Sequence, residues 1–455
     1  MMTDQGSSFV ATRNACKMCT PLGACLAFSG VEGCLPFLHG SQGCSTYIRR
    51  YLISHFREPM DIASSNFDEQ SAIFGGQNNL SIGLRHVLES YRPKAVGIAT
   101  TCLSETIGDD VSMFLNEFRS EQAGHADLSI PPLIHASTPS YHGSHFDGYT
   151  EAVAAIVDTL AEGGKRQADL VNILPGIVSP ADLRHLREIV HDFGLTPILT
   201  PDYSDRLDGP PWQQYQRIPD GGTPIDMIRR CGTAAASIQL GDTPTGRTAT
   251  GILAAKFDVP AMVLPMPIGV RASDQMFGAL ENISGRPTPQ HHTAERGRLV
   301  DSYIDAHKYI FGKRAIVFGD EDFVVSIVGF LAEIGIQTVL CGSGGQSGTL
   351  KASINRIEMG PSEPPRVIEG VDFEDLTEAA ADVHADLMIG HSKGYKLARQ
   401  LGIPLVRIGL PVHDRFGASR MLHVGYRGTQ QLFDRIVNTL LEQRQDISEM
   451  GYTYL

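Results

Sequence analysis

The chain has 455 residues, 42% of them hydrophobic, and a formal net charge of −13. That is apolar material for several packed domains, while the acidic balance without a basic tract excludes nucleic acid as the main partner. No apolar run approaches the roughly 20 residues of a membrane helix, and Met1–Val10 lacks the basic start and apolar stretch of a signal peptide; the expectation is a cytoplasmic protein with no membrane partner.

Short apolar runs rich in β-formers alternate with amphipathic segments along the chain. The predicted strands are Ala95–Thr100, Leu170–Leu174, Thr196–Leu199, Ala234–Leu240, Ala261–Pro265, Arg314–Phe318, Thr338–Cys341, Leu387–Gly390 and Leu405–Ile408. Predicted helices such as Pro180–Phe193 and Ser326–Ile334 lie between them. This alternation specifies an α/β fold with parallel sheets flanked by helices. So many strands in one sheet are unusual, which favours several α/β units. Polar breaks at Glu162–Gln167 and Gly285–Gly297 divide the chain into 1–162, 163–297 and 298–455.

Six of the eight cysteines, Cys16, Cys19, Cys25, Cys34, Cys44 and Cys102, fall in the first quarter. Clustered cysteines in a cytosolic chain of this size point to metal or redox chemistry rather than disulfides. Cys25, Cys34, Cys231 and Cys341 read as small buried hydrophobes. Cys16 and Cys19 form a CxxC, but no second CxxC or His pair follows to complete a zinc site. Cys44 ends His39-Gly-Ser-Gln-Gly-Cys, whose glycines admit a bulky ligand. Cys102 follows a predicted strand and precedes a predicted helix, where open α/β sheets bind ligands. Thiolates are the usual ligands of iron–sulfur clusters, and three from one chain leave such a cluster to be completed by a second subunit.

Around these cysteines stand Pro21-Leu-Gly-Ala, His55-Phe-Arg-Glu-Pro, Phe74-Gly-Gly, Thr100-Thr-Cys, Ile107-Gly-Asp-Asp and Thr138-Pro-Ser-Tyr-His-Gly-Ser-His. Far downstream come Ile408-Gly-Leu-Pro-Val-His-Asp-Arg and Val424-Gly-Tyr-Arg-Gly. In these stretches, from about Cys19 to about Asn438, the chain resembles the nitrogenase component 1 superfamily on its β (K/N-like) side. The resemblance implies three Rossmann-like domains and an α2β2 heterotetramer with an α-type (D-like) subunit. It implies that Cys19, Cys44 and Cys102 ligate a P-cluster-type [8Fe-7S] cluster at the α/β interface, with Ser140 as an added oxygen ligand on oxidation. A scaffold-type member would carry a [4Fe-4S] cluster instead. Phe74 maps to the docking site of the ATP-dependent Fe protein. The active-site cofactor is then in the partner, so no catalytic acid or base is expected in this chain.

Within the family, Tyr47-Ile-Arg-Arg-Tyr-Leu-Ile-Ser-His-Phe-Arg-Glu-Pro resembles the methylthio-alkane reductases, which cleave C–S bonds. Asp202-Tyr-Ser-Asp-Arg-Leu-Asp-Gly resembles the N-type scaffolds of cofactor assembly; such a body with the full cysteine set suits a divergent nitrogenase-like reductase, the alternatives being a K-type nitrogenase subunit reducing dinitrogen and an N-type scaffold. Of the remaining features, His55, Arg57 and Glu58 read as a structural ion-pair network. His291-His292 reads as a solvated pair, and Gly342-Ser-Gly-Gly-Gln-Ser-Gly-Thr as a strand-end loop, since it lacks the P-loop lysine pattern. Trp212, the only tryptophan, has no assigned role.

Overall fold

The computed structural model describes residues 15–122, 130–141, 143–360 and 363–449. Met1–Val10 and His142 lie outside the described residues. The described strands form three all-parallel sheets with helices in the connections. The first holds β1 (Cys34–His39), β2 (Ala63–Ser64), β3 (Ala95–Thr100) and β4 (Leu133–Ala136), in the order β2-β1-β3-β4. The second holds β5 (Gly163–Leu174), β6 (Thr196–Leu199), β7 (Gly232–Leu240) and β8 (Ala261–Leu264), in the order β6-β5-β7-β8. The third holds β9 (Arg314–Phe318), β10 (Gln337–Ser343), β11 (Arg366–Glu369), β12 (Leu387–Gly390) and β13 (Leu405–Arg407), in the order β11-β10-β9-β12-β13. In each sheet the chain starts inside and turns back past its first strand. The switch points, where such sheets open a crevice at their carboxyl ends, are β1/β3, β5/β7 and β9/β12.

Strands β1, β2, β4 and β11 are absent from the sequence expectation. β1 hides behind Pro36, a residue that argues against an inner strand because it has no N–H to donate. β2 pairs with β1 only at Phe37 and Leu38, so one side of Pro36 needs no donor. The Glu162–Gln167 stretch, expected as a polar break, begins β5. There the Arg166 guanidinium donates to the carbonyls of Gly232, Ala234, Phe257 and Asp258. Within Gly285–Gly297 a helix starts, Gln290–Ile310, directly after Pro289. His292 is 1% exposed there, so the His pair is not the solvated one its polar, Pro-rich surroundings suggest.

One continuous apolar core links all three sheets. Near its centre, helix Thr20–Ser29 lies against helix His145–Leu160. A Cβ on Gly23 would fall 1.7 Å from the His145 carbonyl oxygen, and one on Gly148 1.9 Å from that of Thr20. Only glycine lets the two backbones touch, and the crossing holds Cys19 in place from below. Among the described residues no helix is long and apolar enough to cross a membrane.

Asp322, in helix Glu321–Glu333, is buried. Its Oδ1 accepts the Thr243 N–H at 2.9 Å, while Oδ2 has no hydrogen-bond partner. Burial, opposed by the Thr243 bonds, pushes its carboxyl from 3.8 up to about 7. The native chain therefore holds a proton that the unfolded chain releases above pH 4. Stability from this group is full below about 4 and is lost as pH rises through about 7. Asp322→Asn should raise the urea midpoint relative to wild type at pH 8 and leave it nearly unchanged at pH 4. Parallel midpoints at both pH values would contradict the assignment.

Candidate metal centre at the first sheet

The sequence-predicted cysteines reach one end of the first sheet by three routes. Cys44 follows β1, as the third residue of helix Gln42–Phe56. Cys102 follows β3, as the first residue of helix Cys102–Ile107. The two thus flank the β1/β3 switch point. Cys19 is the N-cap of helix Thr20–Ser29, which runs down to the start of β1 and so begins at the sheet's carboxyl end. Three helix N-termini carry the three thiols, and their partial positive ends favour anionic sulfur.

Cys19 and Cys44 are half-buried and Cys102 is exposed. Burial pushes the Cys19 thiol up to about 11; the Leu22 N–H opposes this, and the neighbouring Cys44 and Cys102 thiols add to it. Three thiolates within electrostatic reach of one another require a cationic centre to coexist near neutral pH. A single tetrahedral ion would draw its sulfurs to roughly 3.8 Å apart. Among the described residues, the only three ligand-type side chains with donor atoms all within 4.8 Å are Asp192, His291 and His292. The cysteine sulfurs are more widely spread, which fits a group of several metal ions.

Ser140 lies beside Cys19: its hydroxyl accepts the Thr20 N–H at 3.1 Å. Tyr47, Leu103 and Tyr141, close in the chain to Cys44, Cys102 and Ser140, are exposed large side chains. Cys16, although three residues from Cys19 in the same segment, packs the other way. It is buried against Ile316, Phe318 and Phe373 of the third sheet's layer, 3.9 Å from His391 Nε2. Cys25, Cys34, Cys231 and Cys341 are buried.

A hydrogen-bonded relay ties the site to Phe74. The His39 carbonyl accepts from both the N–H (3.2 Å) and the hydroxyl (3.1 Å) of Thr101, next to Cys102. The buried His39 ring contacts Asp109 Oδ2 at 3.0 Å, and that carboxylate accepts the Gly76 N–H at 3.0 Å. Burial lowers the His39 pKa, with Asp109 opposing. Gly76 must be glycine, because a Cβ there would meet the Phe67 ring at 2.2 Å. Phe74, two residues earlier, ends helix Glu69–Phe74 and is 85% exposed, beside Ile73 at 74%. The sequence reading missed His39, Asp109 and Thr101 as supports, although all three stand inside motifs it marked.

The family model for nitrogenase component 1 type oxidoreductases matches residues 19–441. The chain belongs to this family. Its β-side character is carried by the nitrogenase molybdenum-iron protein beta chains. It is 36% identical to that of Clostridium pasteurianum over 94% of this chain and 93% of the relative. It is 38% identical to that of Methanothermobacter marburgensis over 94% of both chains. The cofactor biosynthesis protein NifN of Bradyrhizobium diazoefficiens is 34% identical over 95% of this chain and 90% of that one. The solved structure of nitrogenase Cp1 at pH 6.5 superimposes with a TM-score of 0.93, at 33% identity, over 99% of this chain and 98% of that one.

The other motifs of this nitrogenase-type chain serve to join its parts. His55, Arg57 and Glu58 do not pair with one another, contrary to the ion-pair expectation. His55 is buried and accepts the Val412 N–H at 2.8 Å, burial holding its pKa down at about 3. Arg57 donates to the His413 carbonyl at 2.9 Å. The first sheet is thus tied to the loop after β13. The glycine-rich loop after β10 is filled by protein: a Cβ on Gly344 would meet the Lys17 backbone at 2.8 Å, and one on Gly345 the Glu321 carboxylate at 2.7 Å.

Proposed function

We propose that this chain is the β-type subunit of a nitrogenase-like reductase complex whose Cys19, Cys44 and Cys102 hold a P-cluster-type [8Fe-7S] group shared with an α-type partner in an α2β2 assembly. The observation that carries the reading is the meeting of these thiols at three helix N-termini on an open face rimmed by Tyr47, Leu103 and Tyr141. Exposed apolar groups around half-buried ligands suit a surface that a second subunit covers. When bound, an iron–sulfur group supplies a relay for electrons passing from an ATP-dependent Fe protein towards a cofactor in the partner. The chain's own residues hold it with thiolates, stabilise its negative charge with helix ends, and exclude water once the rim is covered. Ser140, held beside Cys19 by the Thr20 N–H, is the added oxygen ligand.

For the overall reaction, the Tyr47–Pro59 resemblance supports reductive cleavage of methylthio-alkanes. Two electrons and two protons convert one C–S bond into a C–H and an S–H bond. Dinitrogen reduction is the second reading, supported by the identity to the beta chains of molybdenum-iron proteins. The similarity to NifN supports the third, a cofactor scaffold with a [4Fe-4S] cluster. The test is the purified complex with its Fe protein, ATP and reductant, supplied separately with a small methyl thioether and with dinitrogen. Alkane and thiol release supports the first reading. Ammonia alone supports the second. Neither product, with about four irons per α/β pair, supports the scaffold.

A further inference from the structure

Far from the cysteines, the end of helix Pro180–Asp192 meets the start of helix Gln290–Ile310. There Nε2 of His291 and Nε2 of His292 lie 3.0 and 2.9 Å from the same atom, Oδ2 of Asp192. His292 is buried, its ring edge-on to Phe277 at 5.0 Å, so its direction is fixed by packing. Its other nitrogen, Nδ1, lies 3.3 Å from Oε2 of Glu295. The second oxygen of Glu295 accepts two bonds from Arg427, at 3.0 and 2.9 Å.

With the Nδ1 hydrogen given to Glu295, the Nε2 of a neutral His292 carries only a lone pair. That lone pair, the His291 Nε2 and one Asp192 oxygen lie within 4.8 Å of one another, close enough for a single cation to bridge all three. A divalent ion satisfies all three donors at once. Nitrogen and oxygen ligands of a tetrahedral zinc lie roughly 3.3 Å apart, so the two nitrogen–oxygen gaps need open by only a few tenths of an ångström. A carboxylate on the outer nitrogen of a ligating histidine is the usual support of such a site. His291 and Asp192 are partly exposed, which leaves an entry path and a coordination position for water.

We infer that Asp192, His291 and His292 form a divalent transition-metal site of zinc type, with Glu295 as its positioning residue. The site joins the second sheet's layer to the long helix that leads into the third, and a bound ion pins the two together.

The test uses the purified complex with its cysteine site loaded, desalted and titrated with Co2+ as the probe. The expected result is one equivalent per chain with visible d–d bands and no sulfur charge-transfer band, displaced by Zn2+. His291→Ala, at a surface position, should abolish the bands without altering iron content or the circular dichroism spectrum. Glu295→Gln should keep them with an affinity reduced about 10- to 100-fold. Titration curves unchanged by His291→Ala, absence of saturable binding, or bands of sulfur ligation alone would each overturn the assignment.

Discussion

Cys44→Ala should release iron from the complex and erase the electron paramagnetic signal of the reduced cluster, with no gross unfolding. Alanine is the best helix former, and Cys44 lies inside helix Gln42–Phe56, so its backbone role survives. What goes is the thiolate, which the Ser41 hydroxyl approaches at 3.6 Å. Cys19→Ala and Cys102→Ala should do the same, since each removes one of three thiolates that one chain supplies to a shared group. The controls are built into the chain. Cys25→Ala removes a sulfur from the packed core, and Cys16→Ala one beside the third sheet, so each should keep full iron at a cost of ~1 kcal/mol in stability. Iron content, the reduced-state spectrum and far-ultraviolet circular dichroism separate these outcomes. A Cys44→Ala complex with full iron and normal reduction would remove the chain's cysteines from the relay.

The strands that could be read from sequence are those with β-branched runs and clear stops. Arg314–Phe318 and Leu387–Gly390 are each a full β-strand of the fold. β1 escaped because Pro36 masks it, and β11 because its half-exposed Arg366–Glu369 has no apolar run. The cysteines were legible because their spacing sits inside ordered motifs. The supports were not, because they depend on contacts between distant positions. His39 and Asp109 are 70 residues apart in the chain and 3.0 Å apart in space. His291 and His292 failed for a related reason. A Pro-rich polar stretch looks like a loop, but Pro289 caps a helix, and the buried face of that helix takes His292 inside.

The second large effect is expected at Phe74. A phenyl ring that is 85% exposed, with Ile73 beside it, gains nothing from the fold, so Phe74→Ala should leave stability and iron content unchanged. Large exposed aromatics are the side chains that anchor protein–protein contacts, and truncating one at a contact centre commonly costs 2 kcal/mol or more, about 30-fold in affinity. In the proposed complex the partner at this surface is the ATP-dependent Fe protein. The position suits the task. Gly76, just beyond, is clamped by Asp109, Asp109 holds His39, and the His39 carbonyl is bound by Thr101 at the root of Cys102. A partner seated on Phe74 therefore rests on a rigid path towards the cysteine site rather than on a loose loop. Phe74→Ala should slow turnover driven by the Fe protein most strongly when that protein is scarce, with partial recovery at high concentration. Reduction by a small chemical reductant should be unaffected. Wild-type rates at every Fe protein concentration would show that Phe74 is no anchor. Loss of the chemically reduced signal as well would place its role in the integrity of the site instead, through the Gly76–Asp109–His39 path.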